Sequence, residues 1–436
     1  MLPSRHDTIA AVATPAGSGG IGVVRVSGPR ALAVCKAIWQ GHDPQNSPGG
    51  RFWHGFVRDP VSGELIDEAL LLVFRAPRSY TGEDAVELQT HGSAAVLRRV
   101  LQLLLDQGCR VAAPGEFTLR AFLNGRIDLA QAESVLALVE AQSDSARRQA
   151  LLGLNRRLSA EIASINDDLL GLLSHIQALL DYPEEGVEPH SAHSLIDRAI
   201  TRLENLLATA SAGRKLLQGA RLAIIGAPNA GKSSLLNALL GYRRALVANE
   251  PGTTRDYLEA PLEIGGVPLL AVDTAGIRQS EDPVEAAGVE NAIAIAAAAD
   301  LVLYLVDSSS PRPPEPDLPW SRTVRIASKC DLPAVWSDER FLAVSSVSGA
   351  GLNELREAIK SKLLGGADSK EVWLVSERQA ETLREARDLL REARKAPEDL
   401  MGMGIEAATR ALAQVSGENV DEETIARIFS NFCVGK

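Results

Sequence analysis

The stretch LAIIGAPNAGKSSLLNALLG, from Leu222 to Gly241, decides the fold of its part of the chain. An apolar run typical of a buried strand leads into a loop with the pattern G-x-x-x-x-G-K-S, and residues with helical character follow. The glycines let successive backbone N–H groups face an anion, and the helix N-terminus adds its positive dipole end. The stretch therefore predicts a phosphate-binding loop between a strand and a helix.

Six residues of this loop and helix start are predicted to bind a nucleotide. The Lys232 ammonium is expected to reach the β and γ phosphates, and the Ser233 hydroxyl is expected to hold Mg²⁺, which prefers oxygen ligands. A plain glycine-rich turn is the alternative, but it would not require strand, loop, lysine, hydroxyl and helix in this order. The predicted residues are Asn229, Ala230, Gly231, Lys232, Ser233 and Ser234.

Two downstream motifs indicate that the nucleotide is GTP. The sequence D-T-A-G at 273–276 follows an apolar strand, where its aspartate can support Mg²⁺ through water and its glycine N–H can contact the γ phosphate. The sequence S-K-C-D at 328–331 resembles the guanine-reading N-K-x-D motif, whose aspartate accepts from guanine N1–H and the exocyclic amine. The predicted residues are Asp273, Thr274, Ala275, Gly276, Ser328, Lys329 and Asp331.

The guanine motif departs from its usual form at two places. Ser328 replaces asparagine, so one side-chain amide is lost. The sequence S-S-V at 345–347 stands where S-A-K is usual in the last base-contacting loop. GTP is therefore favoured over ATP mainly by Asp331.

A switch loop is predicted between the phosphate loop and the D-T-A-G motif. Its sequence A-N-E-P-G-T-T-R-D must cross the active site, and the hydroxyl of Thr254 is expected to complete the Mg²⁺ shell when GTP is bound. The predicted GTP-binding residues are Ala248, Asn249, Glu250, Pro251, Gly252, Thr253 and Thr254.

Composition limits the other possibilities. A chain of 436 residues is expected to form about two or three domains. A net charge of −11 and 4% aromatic residues argue against nucleic-acid binding over the general surface, so any RNA contact is local or supplied by a partner. The four cysteines show no zinc spacing, and neither a signal sequence nor an apolar run of membrane-span length is found. A cytoplasmic location is expected.

The character of the sequence changes along the chain and predicts a multidomain α+β and α/β fold. Mixed strands and helices give an N-terminal α+β domain over 1–118, and helical periodicity covers 119–218. A Ras-like P-loop GTPase domain is expected over 219–364, inserted into the helical domain, which resumes over 365–436 and ends in F-C-V-G-K. A switch nested in this way can push on its host from both sides.

Several motifs together resemble the MnmE (TrmE) family of tRNA-modifying GTPases. In chain order they are DTIAAVATPAGSGGIGVVRVSGP from Asp7, SYTGEDAVELQTHG from Ser79, PGEFTLRAFLNGRIDLAQAE from Pro114, GTTRD from Gly252, and the C-terminal IFSNFCVGK. The resemblance implies an N-terminal dimerisation domain, similar to folate-binding aminomethyltransferases, that binds a tetrahydrofolate derivative (5-formyl- or methylene-tetrahydrofolate). It also implies a homodimer and a hetero-oligomer with an FAD-containing, NADH-dependent partner of the MnmG (GidA) type. The product is a carboxymethylaminomethyl or aminomethyl group on C5 of the wobble uridine (U34) of certain tRNAs.

The resemblance places folate contacts on Arg25, Glu87, Arg126 and Lys436. Cationic side chains would bind the carboxylates of the folate, and Glu87 would accept from its pterin ring. Arg126 stands where lysine is frequent, which keeps the charge but not the geometry. Without the family, Arg25 and Glu87 would be interpreted as ordinary charged residues in a salt bridge or in solvent.

The resemblance also implies hydrolysis assisted by K⁺ when two GTPase domains face each other. Ile277 follows the D-T-A-G motif and cannot orient water as glutamine would. The implied K⁺ ligands are Asn229, Ala248, Glu250 and Thr253, and Glu285 matches a glutamate that positions water. Two alternatives remain: Glu285 as a carboxylate at a helix start, and a catalytic arginine from Arg243, Arg244 or Arg255.

Cys433 is predicted to act near the one-carbon unit, because the resemblance places the C-terminal tail against the folate. A buried, inert cysteine is the alternative. The basic cluster Arg147, Arg148, Arg156 and Arg157 is either a tRNA contact or, as its acidic neighbours favour, a solvated helix face. For the chain as a whole, a GTP-switched ribosome or RNA assembly factor and a nucleotide-reporting scaffold are the alternatives to tRNA modification.

Overall fold

The computed structural model describes residues 6–181, 189–241, 259–273, 293–365 and 376–436. These residues form two compact units, one of 1–136 with 412–436 and one of 137–411. The helices in the described part of the chain include none that is long and apolar enough to cross a membrane. The multidomain fold class predicted from the sequence is confirmed, whereas the predicted domain boundaries stay predictions.

The first unit is built on a seven-stranded sheet in the order β3-β4-β5-β6-β2-β1-β7. All neighbouring strands run antiparallel except β1 and β7, which are parallel. The strands are β1 (Ile9–Val12), β2 (Gly19–Ser27), β3 (Trp39–Gln40), β4 (Arg51–Arg58), β5 (Leu65–Phe74), β6 (Ala85–Gly92) and β7 (Arg110–Val111).

Alternation along these strands produces one face that packs on helices. Val24 and Val26 of β2 join Leu71 and Val73 of β5 in a buried core under α1 (Ala31–Ile38) and α2 (Ala94–Asp106). Residues between them, which include Arg25, point to the opposite face because strand side chains alternate. That second face is where the charged motif residues lie.

The remaining helices of the first unit join the two ends of the chain. They are α3 (Glu116–Leu123), the first part of α4 (Leu129–Glu140), and α13 (Glu422–Ser430); a short 3₁₀ helix covers Pro44–Asn46. Leu119 and Leu129 pack with Ile425, Phe429 and Phe432 in one apolar cluster. The C-terminal segment is therefore an integral part of the N-terminal fold.

In the second unit, helices precede and follow a sheet domain along the sequence. Two charged pairs, Arg391 with Glu204 and Arg394 with Asp197, supplement the packing between the helix Pro189–Ala208 and the helix Glu377–Ala393, which Arg394 directly follows. The helices are α5 (Asp144–Leu154), α6 (Arg157–Asp181), α7 (Pro189–Ala208), α8 (Ala210–Gln218), α11 (Glu377–Ala393) and α12 (Glu398–Ser416), the last of which ends in the first unit.

The sheet of the second unit has the order β13-β12-β11-β8-β10-β9, with only the edge strand β9 antiparallel to its neighbour. Apolar clusters cover both faces, which explains the continuous apolar sequence of β11. The strands are β8 (Ala220–Gly226), β9 (Glu259–Ile264), β10 (Val267–Asp273), β11 (Leu301–Asp307), β12 (Thr323–Ser328) and β13 (Leu342–Val344); the helices are α9 (Lys232–Leu240), α10 (Leu352–Leu364) and the 3₁₀ turn Trp320–Arg322, and 293–298 are also helical.

The register of the parallel strands sets the position of a site. Gly226 lies opposite Leu305, Asp307 lies opposite Ser328, and Ser328 lies opposite Val344. The carboxyl ends of β8, β11, β12 and β13 therefore meet at one edge, where open α/β sheets bind their ligands.

Candidate functional site

The phosphate loop predicted from the sequence connects β8 to α9. Asn229 and Gly231 have φ angles of +61° and +92°, so the backbone curls in the left-handed region before the helix begins at Lys232. Lys232 Nζ donates to the carbonyl oxygens of Gly226 at 2.8 Å and Ala227 at 3.0 Å, so its ammonium lies over the loop. Ser233 and Ser234 are exposed in the first turn of the helix. The arrangement offers a cation, hydroxyls and a helix N-terminus to a phosphate chain.

The guanine motif lies at the same edge, directly after β12. Ser328 Oγ donates to the carbonyl oxygen of Ala230 in the phosphate loop at 2.7 Å. Lys329 has a φ of +60°, and its ammonium donates to Asp307 Oδ2 at 2.7 Å. Asp331 is exposed beyond the turn. The structure therefore brings the phosphate loop and the guanine motif together, and the base-reading role of Asp331 stays a prediction.

The Asp307 carboxylate is held ionised in this loop. Partial burial opposes its ionisation, but hydrogen bonds from the Lys329 ammonium and from the hydroxyl and N–H of Ser309 more than offset that cost. The pKa of Asp307 falls to about 2 as a result. A negative charge thus fixes the lysine of the guanine motif at neutral pH.

The turn at 345–348, which begins with the S-S-V sequence compared above with S-A-K, is organised by Ser345. Ser345 is fully buried, and its Oγ accepts from the N–H of Val347 at 3.2 Å and of Ser348 at 3.1 Å. The Val347 side chain is 87% exposed at the tip of the turn. The match to S-A-K identified this turn in the sequence, but it did not predict that Ser345 would accept from two of its N–H groups.

Several predicted residues fall outside the part of the chain that the structure describes. For Asp273 the structure describes the backbone, which ends β10 opposite Ile224. The residues outside are Ala248, Asn249, Glu250, Pro251, Gly252, Thr253, Thr254, Thr274, Ala275, Gly276, Ile277 and Glu285, with the alternative arginines Arg243, Arg244 and Arg255. The switch-loop, K⁺ and catalytic assignments made on them stay predictions.

A second polar site lies on the outer face of the N-terminal sheet. Arg25 and Glu87 are opposite each other on β2 and β6, and Arg25 Nε donates to Glu87 Oε1 at 2.8 Å. The guanidinium carbon of Arg25 lies 5.6 Å from the ring centres of both Tyr80 and Phe117. The ion pair expected without the family is thus present, and its guanidinium also contacts two aromatic rings.

The C-terminal tail reaches this ion pair. Arg25 Nη1 donates to the carbonyl oxygen of Gly435 at 3.2 Å. The backbone N–H of Phe117 donates to the backbone oxygen of Lys436, also at 3.2 Å. Gly435 has a φ of +97°, and a Cβ there would lie 2.5 Å from the carbonyl oxygen of Val12. Glycine is therefore required for the tail to approach the sheet this closely.

Arg126 borders the same site through a turn. Its Nε donates to the carbonyl oxygen of Ser79 at 3.1 Å, next to Tyr80, whose ring faces Arg25. The hydroxyl of Tyr80 is hydrogen-bonded to that of Thr118 at 2.9 Å. The residues predicted to contact folate are thus gathered around one turn, and their role in binding stays a prediction.

A buried ionic network supports that turn. Arg120 is 3% exposed; it donates to Asp7, to Glu116, which is 1% exposed, and to Glu83. Ser27 Oγ donates to Glu83 Oε2 at 2.7 Å. Burial opposes ionisation of Glu116, but hydrogen bonds from Arg110, Ala113 and Arg120 lower its pKa. This network was not predicted from the sequence; the signal was the pair of charges at i and i+4, Glu116 and Arg120, in the helix E-F-T-L-R-A-F-L, in which the other residues are apolar apart from one threonine.

Two predictions remain, one for the basic cluster and one for Cys433. Arg147 and Arg148 both pair with Asp144 at exposed positions, which favours a solvated helix face. Cys433 is exposed, whereas Cys35 and Cys109 are buried. Among the described residues no group of histidine, cysteine and acidic side chains could hold a metal ion.

The parallel sheet, its phosphate loop and the motifs at its carboxyl edge define a P-loop GTPase domain within a larger chain. The family model of the GTP-binding protein TrmE N-terminus matches residues 8–126, and that of the MnmE helical domain matches residues 129–433. This chain belongs to the MnmE family of tRNA modification GTPases. It is a GTP-hydrolysing enzyme that takes part in tRNA modification.

Individual relatives support this membership. A tRNA modification GTPase MnmE of Thermus thermophilus is 61% identical over 430 residues, which cover 99% of each chain. That of Chloroflexus aurantiacus is 43% identical over 452 residues, which cover 99% of this chain and 100% of the relative. A solved G domain of the T. maritima FeoB iron transporter is 27% identical and covers 33% of this chain and 97% of its own, with a TM-score of 0.24. A structural likeness this low carries no argument about function.

Proposed function

We propose that this GTPase adds a carboxymethylaminomethyl or aminomethyl group to C5 of the wobble uridine U34 of certain tRNAs. It acts with an FAD-containing, NADH-dependent partner of the MnmG (GidA) type and takes a one-carbon unit from a tetrahydrofolate derivative. The observation that best supports this is the Arg25–Glu87 pair closed by the C-terminal tail at Gly435. A tRNA substrate also supports the cytoplasmic location, which stays a prediction.

The side chains around the C-terminal tail suit the chemistry of a folate. Glu87 is a half-buried carboxylate with acceptor capacity beyond its bond to Arg25, and a pterin presents several N–H donors in a plane. Lys436 and Arg126 are cations at the border of the site, suited to the carboxylates of the folate tail. Tyr80 adds an aromatic face. When bound, the folate supplies a one-carbon unit; these residues orient it.

The phosphate loop fits Mg²⁺ and a nucleoside triphosphate. The exposed Ser233 hydroxyl at the start of α9 is an oxygen ligand of the kind Mg²⁺ prefers, and the Lys232 ammonium, held over the loop by two carbonyl oxygens, is a cation suited to phosphate oxygens. Asn229, exposed with a φ of +61°, offers an amide oxygen for K⁺. A cation there offsets charge that develops between the β and γ phosphates.

A homodimer through the outer face of the N-terminal sheet is part of the proposal. The strand register places four residues in one row across this face: Arg25, Glu87, Leu72 and Phe52. Phe52 at the end of the row is 68% exposed. A second copy of the chain would remove this aromatic ring from water, beside the folate site. In analytical ultracentrifugation the Phe52→Asp variant should sediment as a monomer, whereas the control variant Val61→Asp should remain a dimer. A Phe52→Asp variant that is still dimeric would refute this surface.

The experiment that tests the function is mass spectrometry of wobble uridines in cells that lack this chain. Wild type and Glu68→Gln should restore the modified nucleoside, whereas Glu87→Gln and Asp331→Asn should not. Glu68 is an exposed carboxylate on β5, paired with His54, and serves as the matched control. Fully modified uridines in the deletion strain, together with ribosomal precursors, would support the assembly-factor alternative instead.

A further inference from the structure

The loop that begins at Asp331 is held in place by few of its own residues. Within the described stretch 331–340 no residue belongs to a helix or strand. In the same stretch only Trp336 and Asp338 are partly buried, and the other residues are exposed. A loop with so little packing owes its position to the residues that are turned inward. Trp336 and Asp338 are therefore the anchors of this loop.

The loop is tied to the carboxyl end of β11 on both sides of the motif's aspartate. The carboxylate of Asp307, the last residue of β11, accepts from the Lys329 ammonium at 2.7 Å. Its carbonyl oxygen accepts from the indole N–H of Trp336 at 3.0 Å. The carbonyl oxygen of Ser308 accepts from the N–H of Val335 at 2.7 Å. The segment between Lys329 and Val335 is thus closed at both ends on the same strand end.

An arginine from a neighbouring loop engages both anchors. The guanidinium carbon of Arg312 lies 5.5 Å from the ring centre of Trp336 and 4.7 Å from that of Phe341. The two rings meet edge to face, with their centres 5.1 Å apart. Arg312 Nη1 also donates to Asp338 Oδ2 at 2.7 Å. Cation–π attraction and a charge-assisted hydrogen bond therefore hold the loop against the rest of the domain.

We propose that Trp336 is a positioning residue for guanine recognition: its bond to Asp307 and its contact with Arg312 place the Asp331 carboxylate against the exocyclic amine of the base. The inference rests on the guanine-reading assignment of this motif. Trp336 acts through Asp331, so its removal changes how the protein reads the base and leaves the phosphate contacts as they are.

The test is titration calorimetry of the full chain with GDP and with inosine diphosphate. The two nucleotides carry the same phosphates and differ in the exocyclic amine, so the ratio of their affinities reports the contact to that amine. Wild type should prefer GDP about tenfold, the effect of one hydrogen bond to a charged group. Trp336→Ala should lower this preference to less than about threefold, because the carboxylate is no longer held in place. A wild-type preference in Trp336→Ala would overturn the proposal.

A matched control exists at the opposite edge of the same sheet. Trp320 lies just before β12, and the guanidinium carbon of Arg325 is 4.0 Å from its ring centre. Because β11 and β12 are parallel, the amino end of β12 is at the edge away from the guanine motif. Trp320→Ala should keep the wild-type preference for GDP. A loss equal to that in Trp336→Ala would mean that any aromatic anchor of the sheet matters, and the positioning role would be refuted.

A second pair of variants tests the arginine without removing an aromatic ring. Arg312 and Arg325 are both partly exposed, so their replacement spares the core. Arg312→Gln should lower the preference for GDP about threefold, the effect of one cation–π contact, and it decides the question if Trp336→Ala does not fold. Arg325→Gln should bind both nucleotides like wild type. An unchanged preference in Arg312→Gln, or an equal change in Arg325→Gln, would overturn the role given to Arg312.

Asp331→Ala separates this inference from the assignment beneath it. If the motif reads guanine, Asp331→Ala should lose the preference for GDP, and the addition of Trp336→Ala should change it no further, because the contact is already absent. A further fall in the double variant would overturn the positioning role. A wild-type preference in Asp331→Ala would refute the guanine assignment. A lost preference in Asp331→Ala with an unchanged one in Trp336→Ala would refute only the present inference.

Discussion

Arg25 and Glu87 lie opposite each other on neighbouring antiparallel strands, and the hydrogen bond between them is part of a chain that ends at Gly435, 410 residues away from Arg25. One guanidinium thus holds both the carboxylate expected to meet a ligand and the tail that carries Cys433. Arg25 is already paired in this arrangement. We therefore expect Arg25 to place Glu87 and the tail, and the peripheral cations Arg126 and Lys436 to meet the carboxylates of a ligand.

Glu87→Gln should weaken binding of a tetrahydrofolate derivative by about tenfold to a hundredfold, the loss associated with a hydrogen bond to a charged group. Titration calorimetry measures the change, and Glu68→Gln on the adjacent strand should bind like wild type. GTP hydrolysis by both variants should be unaffected. Wild-type folate affinity in Glu87→Gln would remove Glu87 from the site.

Glu116→Gln should destabilise the N-terminal unit by about 3 kcal/mol, because it leaves Arg120 buried with less compensating charge. Hydrogen exchange of peptides from the N-terminal sheet measures this in the full chain. Glu68→Gln, in an exposed pair with His54, should cost less than about 1 kcal/mol. Equal protection in the two variants would show that the buried network adds no stability.

The sequence predicted what is local in these sites. The strand, loop and helix around Lys232 could be predicted from neighbouring residues, because an apolar strand and a glycine-bounded loop are recognisable within about a dozen positions of sequence. The Arg25–Glu87 pair requires the register of two strands, and the tail contact at Gly435 requires tertiary packing. Ser328 shows the same limit: its identity was visible as a departure, but its partner Ala230 was not.

Asp307→Asn should cost stability at neutral pH and progressively less in acid. The pKa of Asp307 is about 2, below its ordinary value of 3.8, so the fold favours the ionised form. The stabilisation is present above the ordinary value and is lost as pH falls toward 2. Urea unfolding of wild type and variant from neutral pH to about pH 3 measures it. A difference in midpoint that grows in acid would contradict the assignment.

Hydrolysis should be much faster in KCl than in NaCl at equal ionic strength, and Asn229→Gly should abolish that difference. Na⁺ is smaller and leaves the same ligands too far apart. Glycine is the appropriate replacement because the φ of Asn229 is +61°, which alanine tolerates poorly. Release of phosphate in the two salts is the measurement. Equal rates for wild type in both salts would favour a catalytic arginine.

Cys433→Ser should leave folding and K⁺-stimulated GTP hydrolysis nearly intact while it abolishes wobble-uridine modification. The tail is held at this residue through its carbonyl oxygen, which accepts from the N–H groups of Gly115 and Lys436, both at 3.3 Å. The thiol itself is exposed, so the exchange of sulfur for oxygen disturbs no buried packing. Mass spectrometry of purified tRNA after reaction with the complete system measures the outcome.

A second variant separates thiol chemistry from tail geometry. Gly435→Ala keeps the thiol but places a Cβ 2.5 Å from the carbonyl oxygen of Val12 at a φ of +97°, so the tail must leave the sheet. It should lose folate binding together with modification, whereas Cys433→Ser should lose modification alone. Normal modification by Cys433→Ser would make Cys433 a structural residue. Loss of folate binding by both variants would assign the whole effect to the position of the tail.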